Sequence, residues 1–80
     1  MTTQEILSWI AEAFEYPREK IRVDSPRREI PGWDSLGMLS LMAGLDERFD
    51  IHLTDKDIGT LQSVSDVLNI LRHNGLISQD

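Results

Sequence analysis

Cysteine is absent from this 80-residue chain. That excludes a disulfide framework, a thiol nucleophile and any cysteine metal site, and it suits a cytoplasmic setting. Long apolar runs are also missing. The longest uncharged stretch, Ser35 to Leu45, is too short to span a bilayer, so no membrane insertion is expected. Met1 leads into polar Thr2, Thr3, Gln4 and Glu5, with no basic segment ahead of an apolar one, so no signal peptide is expected. Positive charge is scarce. Eight Lys and Arg face fourteen Asp and Glu, a net charge of −6, which argues against nucleic acid and favours basic partners. Arg27 and Arg28 are too few to form a nucleic-acid patch.

What remains is enough for one domain over residues 1–80, expected as a monomer of modest stability. The charge is uneven. Five bases (Arg18, Lys20, Arg22, Arg27, Arg28) cluster within residues 17–29, whereas 34–66 hold seven acids against Arg48 and Lys56.

Helical periodicity dominates. Thr2 and Glu5 have capping-box spacing, and Ile6, Leu7, Ile10 and Phe14 recur behind them, which predicts helix I over about 3–15 with Pro17 as its stop. Residues 17–33, with Pro17, Pro26, Pro31 and Gly32, read as a long ordered loop anchored by Ile21, Val23 and Ile30. Asp34 is an N-cap for helix II over 35–49, with an apolar stripe of Met38, Leu41, Met42, Leu45 and Phe49. A second stripe, Leu36, Ser40, Ala43 and Glu47, faces solvent, and Gly44 permits close packing. Thr54 caps a single turn over 55–59. Ser63 and Asp66 open helix IV, whose buried face is Val64, Val67, Leu68 and Leu71 and whose stop is Asn74-Gly75. Leu76 and Ile77 are expected to fold back on the bundle, and the last three residues to fray. The fold class is all-α: a bundle of three main helices and one short one, with a long first connection.

The informative stretch is Gly32-Trp33-Asp34-Ser35-Leu36-Gly37: a turn, an N-cap and a serine at the first helical position. A phosphodiester on that hydroxyl would sit at the positive end of a helix dipole, and Asp34 could help hold a cation during its formation. Trp33 is expected to pin the loop against helix II beside the site. Other readings of the same residues stand next to this one. Ser35 also fits a plain first-turn serine, or a phosphorylation site, in a helical interaction domain that binds a basic partner. A hydrolase elbow needs G-x-S-x-G after a strand, and here Trp33 takes the first glycine's place. His52 and His73 offer no metal site, because no third ligand recurs at usable spacing. Asp46, Glu47, Asp50, Asp55 and Asp57 read as a solvated, partner-facing surface with at most weak divalent screening.

Asp34-Ser35-Leu36 resembles the D-S-L modification motif of acyl carrier proteins. The resemblance covers about residues 4–74, with the parts in the family's order. Glu47-Arg48-Phe49 resembles the end of the family's second helix, and Thr60-Leu61-Gln62-Ser63-Val64 the lead-in to its last. The resemblance implies a carrier, not an enzyme. A phosphopantetheinyl transferase would move 4'-phosphopantetheine from coenzyme A onto Ser35, flanked by Asp34 and Leu36, and the arm would carry acyl groups as thioesters. Acyl-loading and acyl-transfer enzymes with basic patches would dock on Leu36, Asp46, Glu47 and Asp50. An acyl chain would slip between helices lined by Met38, Leu39, Met42 and Leu45. Many fatty-acid carriers have acids where this chain has Gly37 and Ser40. Its G-W-D-S-L-G form looks more like carriers of specialised lipid, polyketide or related pathways, or D-alanyl and aminoacyl carriers. The Gly-Gly-x-Ser pattern of peptidyl carriers is absent.

Overall fold

Helix starts in this chain are set by side chains that bond their own first turn. In the computed structural model, which describes residues 1–77, the Thr2 hydroxyl accepts from the Glu5 N–H at 3.2 Å while the Thr2 N–H donates to the Glu5 carboxylate at 2.9 Å. This capping box opens α1, Thr3–Ala13. The Asp34 carboxylate accepts from the Gly37 N–H at 2.9 Å and opens α2, Ser35–Phe49. A second capping box, Thr54 with Asp57, opens the short α3, Asp55–Thr60. At α4, Val64–His73, the Ser63 N–H donates to the Asp66 carboxylate at 3.1 Å. Among the described residues there are four α-helices and no strand, only an isolated bridge between Pro26 and Ser63. The fold is all-α, as the periodicity predicts.

Helix ends differ more from expectation. α1 stops at Ala13, two residues short of the sequence reading, and Pro17 is not what stops it. Glu15 takes a left-handed conformation (φ 52°), the Tyr16 N–H reaches back to the Ala11 carbonyl at 2.8 Å, and the Glu15 N–H reaches that of Glu12. This is a Schellman turn with glutamate in the position glycine usually holds. α2 closes in the same manner through Asp50 (φ 56°), with Ile51 N–H on the Leu45 carbonyl at 3.1 Å. α4 uses Gly75 (φ 69°), as Asn74-Gly75 predicts, and the Leu76 N–H bonds the Leu71 carbonyl. Leu76 and Ile77 pack, half-buried, against the core. The fraying expected of residues 78–80 lies outside the described residues.

The core gathers one face from each main helix. Ile6 and Ile10 come from α1 and Phe14 from its C-terminal turn, Leu41 and Leu45 from α2, and Val64, Val67, Leu68 and Leu71 from α4. The α4 residues are the four read from its sequence. Met42 and Phe49, expected on the buried stripe of α2, are half-buried at its margin. Gly44 lets Trp9 lie against α2, where a Cβ would stand 2.5 Å from the indole. Trp9 meets Phe49 edge-on with centroids 5.4 Å apart.

The first connection is an ordered loop, as the sequence reading expects. It contains single 3-10 turns at Arg18–Lys20 and Arg27–Glu29. Ile21 and Ile30 are buried as expected, but the Val23 side chain is 44% exposed and holds the loop only through its carbonyl, which accepts from the Ser65 hydroxyl at 2.7 Å. The anchor is Ser25, fully buried, whose hydroxyl accepts from the Arg22 N–H at 2.8 Å and whose carbonyl accepts from Val64 at 2.9 Å. The neighbouring Arg27 N–H donates to the Gln62 carbonyl at 2.8 Å. The hydroxyl satisfies the Arg22 N–H at close range, which a branched apolar side chain could not do.

Two measurements check this account. Asp57, like Glu5, is held below its ordinary carboxylate range, chiefly by the N–H of its capping residue and then by that residue's hydroxyl. A depressed folded pKa stabilises above the unfolded value and is lost as pH falls through the folded one. Asp57→Asn should therefore lower stability near neutral pH, with the difference from wild type closing in acid, read by thermal melts across pH. In the second, Gly59→Ala, where an added Cβ meets nothing within 4 Å, should raise stability by up to about 1 kcal/mol in denaturant titration.

Candidate functional site

Ser35 owes its place to the turn before it. Trp33 is buried, its indole stacked on Phe14 with centroids 4.8 Å apart and planes 19° apart. Its Nε1–H points at the Met38 sulfur, 3.3 Å away. Arg27 lies over the indole, 5.8 Å from its centroid, and donates to the Trp33 carbonyl at 3.3 Å. The expected pinning of the loop by Trp33 is thus made from α1, α2 and the loop together.

Glycine lets the chain turn tightly enough. A Cβ at Gly37 would overlap the Gly32 carbonyl oxygen, and one at Gly32 would overlap the carbonyl of Phe14. The first turn of α2 therefore lies directly on the Pro31-Gly32 turn, which lies on the end of α1. With that stack in place, Asp34 takes an extended conformation (φ −107°, ψ −163°) as N-cap and Ser35 becomes the first residue of the helix, exposed to solvent. The Met38 N–H closes the first turn on the Asp34 carbonyl at 2.8 Å. Neither glycine contact was visible in the sequence, where the spacing of Gly32 and Gly37 around the serine was the only signal of it.

The residues expected to take part fall on distinct surfaces. Leu36 is 75% exposed beside Ser35, as its stripe predicts. Asp46, Glu47 and Asp50 are exposed at the far end of α2. Of the four expected to line an acyl path, Met38 and Leu45 are sealed in the core, Met42 is half-buried, and Leu39 is 60% exposed. Leu39 does not face the space between the helices. It lies one residue, roughly 100° around the helix, from Met38. Leu39 and Met42 instead border a shallow groove of about 300 Å³ with Ile51 and Leu53. The four residues do not line one cavity.

His73 ends α4, but His52 differs from expectation. His52 turns its Nδ1 to Asp46 at 3.1 Å and its Nε2 to Asp50 at 3.5 Å, so two acids from the end of α2 converge on it. Their candidate ligand atoms lie within 4.8 Å of one another. Residues at 46, 50 and 52 come together because the left-handed Asp50 folds the chain back on α2, which linear spacing does not reveal. All three are exposed, and these contacts tie the connector to the helix.

The chain matches no family model. It is similar over nearly its whole length to curated acyl carrier proteins. With that of Clostridium acetobutylicum it is 29% identical over 72 residues, 90% of this chain and 94% of the relative. With that of Campylobacter jejuni subsp. doylei it is 27% identical over 70 residues, 88% and 91% of the two chains. With that of Phytoplasma mali it is 26% identical over 74 residues, 92% and 88%. The protein is an all-helical bundle that presents a serine at a helix start. In sequence it is similar to the acyl carrier proteins, in keeping with the D-S-L motif and the order of its parts.

Two substitutions separate the faces of α2. Leu36→Ala should change stability by less than about 0.5 kcal/mol, whereas Met38→Ala, in the core under Trp33, should cost about 2–5 kcal/mol. Denaturant midpoints on the two variants would decide whether the helix is phased as described.

Proposed function

We propose that the chain is an acyl carrier protein, a single carrier domain over residues 1–80. In this reading it carries acyl intermediates as thioesters on a 4'-phosphopantetheine arm attached to Ser35. The observation that carries the reading is the placement of Ser35 itself: an exposed hydroxyl at the first position of a capped fifteen-residue helix, held there by the Gly32–Gly37 contact. The likeness to acyl carrier proteins over about nine-tenths of the chain supports it.

The residues fit the group. Ser35 Oγ would hold the phosphate, and the positive end of α2 favours an anion bonded there. Asp34 is committed to the Gly37 N–H and keeps the serine at the helix start. The bound arm supplies a terminal thiol that carries the acyl group. The protein's own part is to present the arm and to be recognised, not to catalyse. Leu36, with three-quarters of its surface exposed beside the serine, offers an apolar contact to a phosphopantetheinyl transferase and to later acyl-loading and acyl-transfer enzymes. The uncharged run from Ser35 to Leu45 favours a specialised pathway over bulk fatty-acid synthesis. Among the described residues no helix is long and apolar enough to cross a membrane.

Incubation with coenzyme A, magnesium and a broad-specificity phosphopantetheinyl transferase tests the reading. Intact mass should rise by one phosphopantetheine on the wild type and not on Ser35→Ala. No gain on folded, initially unmodified protein would sink it. Leu36→Ala should accept the arm with a KM for the carrier raised several-fold at unchanged melting temperature.

A further inference from the structure

Ser35 stands beside a second groove, larger than the one at Leu39 and Met42. It has a volume of about 500 Å³ and runs between the end of α1 and the first turns of α2. Asp34, Leu36 and Ser40 form its α2 wall, and Trp9, Glu12 and Glu15 its α1 wall. Gly37 also lines it, so the α2 side has no side chain there to fill the space.

The charge around this groove is one-sided. α2 carries no ionisable residue between Ser35 and Leu45. The acids near the serine are Asp34, already bonded to the Gly37 N–H, and Glu12 and Glu15 across the groove, both exposed. No Lys, Arg or His lines it, and the Trp9 ring forms part of the wall. Exposed carboxylates in a groove that a tryptophan also lines suit a guanidinium or ammonium group. Because residues on both sides of Ser35 border the groove, any protein that reaches the serine hydroxyl must cover it.

We propose that this groove receives an Arg or Lys side chain of the enzymes that dock at Ser35, so that Glu12 and Glu15 on α1 supply the negative charge that the first turns of α2 lack. The proposal rests on the carrier reading above. It places the docking surface astride α1 and α2. The Asp46, Glu47 and Asp50 end of α2 is a separate contact.

The test is the kinetics of arm transfer from coenzyme A by a broad-specificity phosphopantetheinyl transferase onto the full chain. Glu12→Gln/Glu15→Gln should raise the KM for the carrier about five- to tenfold at low salt, with kcat within about twofold, and the difference should shrink at high salt. Ser40→Glu, on the exposed rim, should lower KM about twofold, and Ser40→Lys should raise it. A wild type that accepts the arm, with KM for the double variant and for Ser40→Lys both unchanged within twofold, would overturn the groove proposal and leave the carrier reading intact. A wild type that accepts no arm would overturn both. If the double variant fails to fold by circular dichroism, the Ser40 pair decides the matter by the same criterion.

Discussion

The Gly32 carbonyl lies against the first turn of α2 at Gly37, with Phe14 beneath both. Side-chain-free positions are required at 32 and 37 because an added Cβ would occupy the space of a backbone oxygen. Everything that defines the site hangs on this stack. It fixes where the long connection turns, hence where Asp34 caps α2, hence that Ser35 is the first helical residue and faces water. Trp33 locks the arrangement from inside by stacking on Phe14 and meeting the Met38 sulfur.

The same stack creates the groove beside the serine. Two helices brought together at glycines leave a cleft where side chains would otherwise interlock, and its walls are lined from both helices. The chain's acidity is concentrated at helix ends. Glu15 and Asp50 sit in left-handed C-terminal turns, where glycine would cost less conformational energy. Each thereby projects a carboxylate at a fixed corner of the bundle. One corner borders Ser35. The other closes on His52.

Much of the fold was legible because it is local. The capping box at Thr2, the caps at Asp34 and Thr54, the Ser63–Asp66 capping spacing and the Asn74-Gly75 stop are short-range patterns, and the structure contains them. The periodic face of α4 read correctly for the same reason: a strongly amphipathic helix has one way to bury itself. The errors fall where a distant partner decides. Val23 and Ser25 are separated by two positions, but Ser25 is the one within reach of Val64. α1 ended early because Glu15 adopts a conformation that glutamate rarely takes and that no periodicity signals.

The serine and its flanking motif were determined by sequence alone, since a turn, a cap and a first-turn hydroxyl are contiguous and need no other segment to define them. Tertiary structure alone decided which neighbours face it. Met38 and Leu39 are adjacent in sequence but divided between core and solvent by the packing of α2 on α1. Glu12 and Glu15 lie twenty residues and more before Ser35, and they share its groove only because two glycines let the backbones touch.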